Sequence, residues 1–259
     1  MILEYKNAHI SYSDYGKGTA IVLLHGFLEN STMWNVLVPH FSKKNRVVTL
    51  DFLGHGLSDC IGYSHSMELL ADTVMQVLKK LKIRKSIFIG HSMGGYVALA
   101  FAEKYPQKVK GICLLNSTSN ADSEERKEIR VRANKMVQKN YTNLVRMSFS
   151  NLFAVESKEK YQSEITLALQ EALKTPKQGY IAAQEGMRTR SNRNDVLAKS
   201  TFPKLMIMGQ NDPVLNINDA TKEAHKTATE LFVFPGGHMA HIENTALLLN
   251  TLKEFVKKC

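Results

Sequence analysis

The chain has 259 residues, 44% hydrophobic and 22% charged, with 34 Lys and Arg against 24 Asp and Glu for a net charge of +10. These proportions lie near globular averages and exclude a long disordered or fibrous chain, while the length suits one α/β domain with a sizeable core. No run approaches about 18 apolar residues and the start, Met1-Ile2-Leu3-Glu4-Tyr5-Lys6, shows no basic region followed by an apolar stretch, so a soluble, unsecreted protein with no membrane span is expected.

In chain order, β-prone apolar runs predict strands near 2–6, 9–15, 20–24, 46–50, 86–90, 110–115, 204–208 and 230–234. Spaced apolar positions predict helices near 32–41, 66–81, 94–105, 217–226 and 243–257; the second carries Leu69, Leu70, Thr73, Val74, Val77, Leu78 and Leu81. Strand and helix thus alternate, with one interruption. Between Asn116 and Thr201 the pattern is polar and helical, with helices expected over 124–140, 143–149, 157–173 and 177–187. We read 117–200 as a helical lid inserted after the sixth strand, with 1–116 and 201–259 as the core. A cap of this kind excludes water and supplies most substrate contacts.

Chemistry concentrates at the fifth strand. The run Ser86-Ile87-Phe88-Ile89-Gly90-His91-Ser92-Met93-Gly94-Gly95 breaks at a serine flanked by glycines and continues as helix. A turn sharp enough to lift a serine Oγ clear of a sheet leaves no room for side chains beside it, which makes Ser92 the candidate nucleophile. The pattern alone is weak, arising by accident roughly one time in ten in a chain this long, so partners decide. Serine at neutral pH needs an imidazole to take its proton, and that ring needs an acceptor to fix its tautomer. After the strand Leu205-Met206-Ile207-Met208 comes Gly209-Gln210-Asn211-Asp212-Pro213, and after Leu231-Phe232-Val233-Phe234 comes Pro235-Gly236-Gly237-His238. Asp212 and His238 complete the order Ser, Asp, His. His241 is a rival base, but the two glycines before His238 favour its approach. Near the start, Ile21-Val22-Leu23-Leu24 opens into His25-Gly26-Phe27-Leu28, and backbone N–H groups of Phe27 and Met93 are the expected oxyanion hole.

With these residues in view, the chain resembles the α/β-hydrolase family, in its compact esterase and lipase-like branch. The resemblance rests on His25-Gly26-Phe27, the loop Asp51 to Asp59, Gly90-His91-Ser92-Met93-Gly94-Gly95, Gly209-Gln210-Asn211-Asp212 and Gly237-His238. It implies a mostly parallel eight-stranded sheet flanked by helices, a Ser92-His238-Asp212 triad, and scaffold roles for Asp51, His55 and Asp59.

In the lid, Met136, Leu144, Met147, Phe149, Leu152, Phe153, Tyr161 and Tyr180 are candidates for an acyl pocket, with Phe149, Phe153 and Tyr180 first among them. The stretch 186–195 holds Arg188, Arg190 and Arg193, any of which would suit an anionic substrate if it faced the cavity. Cys60, Cys113 and Cys259 are odd in number and widely spaced, which indicates neither a disulfide framework nor a zinc site and fits a reducing cytoplasm. Basic residues are dispersed apart from Lys253, Lys257 and Lys258 on the final helix, so the positive charge is read as a solvated surface with no nucleic-acid partner. No phosphate loop or dinucleotide fingerprint is present, and no cofactor or metal is expected. The function expected is hydrolysis of small or medium acyl esters through an acyl-enzyme. The alternatives are carbon–carbon bond hydrolysis or elimination by the same triad on a small anionic substrate, which cavity-facing lid arginines would place ahead of the ester reading, and a non-enzymatic binding protein on the same scaffold.

Overall fold

Every apolar run named above forms a strand in the computed structural model, which describes residues 1–259. The strands are β1 (Ile2–Tyr5), β2 (Ala8–Tyr15), β3 (Ala20–Leu24), β4 (Arg46–Leu50), β5 (Ser86–His91), β6 (Val109–Leu115), β7 (Lys204–Gly209) and β8 (Glu230–Phe234). They make one open sheet in the order β1-β2-β4-β3-β5-β6-β7-β8. β1 and β2 are antiparallel to their neighbours, and β3 to β8 run parallel, as expected for strands joined by helical crossovers.

Burial on both faces explains why the central strands read as unbroken apolar runs. Along β3, Val22 and Leu24 enter one core cluster, while Ile21 and Leu23 enter the other. The larger cluster packs against α2 (Met67–Lys80) and α3 (Met93–Lys104); the smaller packs against α1 (Val38–Phe41) and the C-terminal helix. Helix α2 begins where Ser66 Oγ accepts the Leu69 N–H, and it turns Leu70, Val74, Val77 and Leu78 inward at helical spacing.

Six helices fill the interval between β6 and β7: α4 (Glu124–Met136), α5 (Tyr141–Ser150), α6 (Val155–Lys160), α7 (Gln162–Leu173), α8 (Lys177–Arg188) and α9 (Asn194–Lys199). The single helix expected over 157–173 is broken at Tyr161, whose backbone leaves the helical region (φ −114°, ψ 30°) while its hydroxyl donates to Glu243 O. Helix α9, six residues long, carries too little periodicity to register in the sequence. Near the start, the helix expected at 32–41 resolves into a 3-10 turn over Ser31–Trp34, capped by Asn30, and the short α1, with Pro39 in its first turn. After β7 come α10 (Ile217–Lys226), then α11 (Ala240–Glu243) and α12 (Thr245–Lys258) beyond β8.

The inserted helices have an apolar cluster of their own. Val137, Val145, Phe149, Phe153, Ala172 and Tyr180 pack together with Leu28 and Met239 from the loops after β3 and β8. Further ties bind them to the sheet side, where the His65 N–H donates to Ala182 O and the His238 N–H donates to Leu152 O. No helix is long and apolar enough to cross a membrane.

Candidate active site

The junction of β5 and α3 confines Ser92 to φ 48°, ψ −114°, a region rarely adopted by residues other than glycine. Its neighbours explain how the strain is held. A Cβ on Gly90 would lie 2.4 Å from the Gly94 backbone, and one on Gly94 would lie 2.2 Å from Leu24 O, so the turn closes only with glycine at both places. The Ser92 N–H donates to Leu115 O at 2.9 Å and Ser92 O accepts from Ser117 Oγ at 2.7 Å, which pins the elbow to the adjoining strand.

His238 and Asp212 meet Ser92 from two other loops. His238 Nε2 lies 2.9 Å from Ser92 Oγ, and His238 Nδ1 lies 2.8 Å from Asp212 Oδ2. A carboxylate opposite Nδ1 fixes the tautomer, so Nδ1–H donates to Asp212 and Nε2 is left to accept the serine proton. Asp212 Oδ1 accepts N–H groups from Val214 and Leu215, and Oδ2 also accepts from Asn116 Nδ2 at 3.0 Å. Burial works against its charge, but His238, Asn116 and the Val214 N–H together hold its carboxyl below the usual range. Asn116 sits at the end of β6 with φ 45° and also donates to Gly237 O, tying the two loops together.

The loop after β3 is ordered by its histidine. His25 Nδ1 donates to Gly26 O, and its Nε2 accepts the Phe52 N–H at 2.9 Å, which locks this loop to the one after β4. Burial holds His25 below its ordinary pKa, in keeping with a neutral ring that donates from one nitrogen and accepts at the other. Leu28 then turns at φ 62°. The Phe27 N–H has no acceptor within the protein, and Met93 opens α3, where a helix leaves its first N–H groups unpaired. Asp51 and His55 stand apart from this chemistry: Asp51 caps the N–H groups of Ser31 and Leu57, and burial pushes His55 down to about 3.

A buried ion pair lies directly behind the site. His91 Nδ1 is 2.6 Å from Glu29 Oε2, and His91 Nε2 is 2.9 Å from the backbone oxygen of His238. Both ring nitrogens therefore face acceptors, and a histidine satisfies both only as imidazolium. Burial opposes the charge on His91, yet Glu29 and the His238 carbonyl raise its pKa above 6.5. Burial likewise opposes ionisation of Glu29, and His91 overrides it, bringing the carboxyl down to about 2. Glu29 Oε2 also accepts the Gly26 N–H, so one carboxylate joins the Phe27 loop to the His238 loop through His91. Sequence reasoning missed this pair, because Glu29 and His91 lie 62 positions apart. The rival His241 lies against Glu29, its Nε2 3.6 Å from Oε1, and burial takes it down to about 4. The donor atoms of Glu29, His91 and His241 lie within 4.8 Å of one another, as in a metal site, but both His91 nitrogens are already engaged.

Ser92 and His238 open on a cavity of about 470 Å³ walled mainly by apolar side chains. Phe149 and Tyr180 line it, whereas Phe153 stands behind Phe149, its ring 5.9 Å away, and does not reach the wall. None of Arg188, Arg190 and Arg193 lines it: Arg188 pairs with Glu185, Arg190 with Asp122, and Arg193 with Glu68 and Glu103. The arginines on the wall are instead Arg126, Arg130 and Arg132 of α4. A signal for them exists in the sequence, since Arg126, Ile129, Arg130, Ala133 and Met136 recur at helical spacing, mixing arginine with apolar residues on one face.

Comparison with known proteins agrees with this geometry. The family model described as "alpha/beta hydrolase fold" matches residues 19–245. The chain is 29% identical over 240 residues to 3-oxoadipate enol-lactonase 1 of Acinetobacter baylyi, covering 92% of this chain and 88% of the relative. A malate-bound thermophilic esterase from Thermogutta terrifontis superposes with a TM-score of 0.92 at 28% identity, covering 97% of this chain and 94% of the other. An N-acyl homoserine lactone degrading enzyme superposes with a TM-score of 0.85 at 25% identity, covering 98% and 100%. With this match running through all three loops that meet at Ser92, the chain belongs to the α/β-hydrolase family.

Proposed function

We propose that the protein is a serine hydrolase that cleaves carboxylic esters of small or medium acyl groups through an acyl-enzyme. The observation that carries this reading is the continuous chain Ser92 Oγ, His238, Asp212, with successive distances of 2.9 and 2.8 Å, opening on an apolar cavity. Ser92 Oγ attacks the ester carbonyl as His238 Nε2 takes its proton, and the resulting oxyanion is met by the N–H groups of Phe27 and Met93. The C–O bond to the leaving alcohol breaks as His238 returns the proton to it. Water then attacks the acyl-enzyme with His238 again as base, releasing the acid and restoring Ser92. In this reading α4–α9, within residues 117–200, form a lid over the core of 1–116 and 201–259, with Phe149 and Tyr180 shaping the acyl pocket. Small-molecule esters, and lactones as cyclic esters, are the substrates; the enol-lactonase and esterase relatives support that class. Three unpaired cysteines suit a cytoplasmic setting.

A second reading is carbon–carbon hydrolysis or elimination on an anionic substrate by the same triad, and the three arginines of α4 favour it. Those arginines speak to the charge of a substrate rather than to the bond broken, so the ester reading stands first. The test is labelling by a fluorophosphonate probe together with turnover of a panel of 4-nitrophenyl esters and an anionic diketone. Labelling that Ser92→Ala abolishes, with ester turnover, supports the proposal. An unlabelled protein, or one that consumes the diketone alone, refutes it.

A further inference from the structure

Charges on the wall of the Ser92 cavity do not balance. Arg126, Arg130 and Arg132 line it, and Glu29, the one carboxylate that does so, is already committed to His91 at 2.6 Å. Behind the wall, Asp122 serves Arg130 and Arg190 at once, at 2.5 and 2.6 Å, with all three residues buried. One carboxylate therefore answers two guanidinium groups. Burial opposes ionisation of Asp122, and the two arginines nevertheless keep it below the ordinary carboxylate range. Arg126, half-buried, has no ion pair of its own; on its far side, facing a neighbouring cavity, lie Asp219 and Glu223. Glu223 is saturated by Thr118, Ser119 and Asn120, and Asp219 is exposed beside Lys222.

Arg130 and Arg190 are thus buried with one carboxylate between them, while Arg126 is half-buried and Arg132 exposed, and an excess of buried positive charge is costly unless something of opposite sign shares the space. Arg126 and Arg130 stand one helical turn apart on the same face of α4, Arg126 in its first turn and Arg130 at its middle. Beyond them the wall is apolar, with Met136, Leu144, Met147 and Phe149. A ligand that satisfies both halves is an acyl chain bearing an anion, and the guanidinium fork matches a carboxylate in shape. We propose that the cavity is built for acyl compounds carrying a second, distal carboxylate, held by Arg126 and Arg130. The substrate class is then half-esters of dicarboxylic acids or carboxylate-bearing lactones, an assignment that rests on the ester-hydrolase reading above.

The test separates binding from turnover. Calorimetry on Ser92→Ala compares monomethyl hexanedioate with methyl hexanoate, and kinetics on the active enzyme compare mono-4-nitrophenyl esters of six- to eight-carbon dicarboxylic acids with the matching monocarboxylic esters. The carboxylate-bearing ligand is expected to bind at least tenfold more tightly at low salt, with a similar preference in kcat/KM that shrinks as salt is raised. Arg126→Gln in either background should erase most of the preference by weakening only the carboxylate series. Arg130→Gln should do the same where it folds; Arg126→Gln, half-exposed, carries the test if it does not. Equal binding of the two ligands, or an Arg126→Gln variant that weakens both series alike, overturns the subsite. A binding preference without turnover of any ester overturns the ester-hydrolase reading and leaves the subsite in place.

Discussion

Replacing Glu29 by Gln should reshape the pH dependence of stability in a way that identifies the buried pair with His91. Glu29 falls from 4.5 to about 2 in the folded protein, and at about 1.4 kcal/mol per unit that is about 3 kcal/mol for Glu29 in its surroundings, with His91 the largest favourable contributor and His241 and His25 behind it. Because the folded pKa lies below the unfolded one, this stabilisation is complete above about pH 4.5 and is lost as pH falls toward 2. His91 behaves oppositely. Its pKa is raised above 6.5, so its contribution is complete below 6.5 and is lost as pH rises through the folded value. Both are intact only between about 4.5 and 6.5. Urea unfolding of the parent and of Glu29→Gln across pH 2.5–9 measures the difference; titrating groups remote from Glu29 cancel in it, while His25, His55 and His241, which feel its charge, add to the His91 side. The advantage of the parent should be largest in that window and fall on both sides, by about 2.5 kcal/mol at the acid end of the range. Parallel curves would show that Glu29 and His91 are not charged partners.

Ser92→Ala should lower ester turnover by about 10⁴-fold or more without changing the urea midpoint by more than a small margin, and retained activity would refute the nucleophile assignment. His238→Ala and Asp212→Asn should each cost about 10³-fold or more in kcat, with His241→Ala much milder because His241 faces Glu29 rather than Ser92; a worse His241→Ala would point to the other histidine. Phe149→Ala, at a fully buried position on the cavity wall, should cost about 3–5 kcal/mol in stability and move chain-length preference by about tenfold in relative kcat/KM. Phe153→Ala, set behind it, should destabilise with little change of preference. Gly94→Ala forces a Cβ to within 2.2 Å of Leu24 O, and loss of both fold stability and probe labelling is expected, read by thermal melting and fluorophosphonate labelling.

What was legible in the sequence and what was not divides along one physical line. Strands β3 to β7 could be placed to within a residue because burial on both faces demands an unbroken apolar run, a demand met locally whatever surrounds it. The Ser92 elbow was legible for a similar reason, since a turn with no space for a Cβ writes glycine into the chain at fixed offsets from the serine. Helix boundaries in the inserted segment were less legible. Tyr161 interrupts a helix whose neighbours favour one, and the hydrogen bond it makes there goes to Glu243, more than 80 positions away. The charges around the site were the least legible of all. Arg190 could be read either as a solvated connector residue or as facing the cavity, and the structure makes it neither: Asp122 captures it from 68 positions upstream and the Tyr96 ring stacks on it at 3.9 Å. Arg130 sits on a helix of mostly polar composition, and the same Asp122 fixes it in the wall. A guanidinium on a long flexible side chain goes wherever its counter-ion is, and the counter-ion is set by the fold rather than by spacing along the chain. The candidate site is thus encoded in short segments that each carry their own geometric requirement, whereas the charge on the cavity wall is set by which carboxylates the fold leaves in short supply. On the wall of the Ser92 cavity that shortage is of negative charge, and a ligand is what the surplus arginines are positioned to meet.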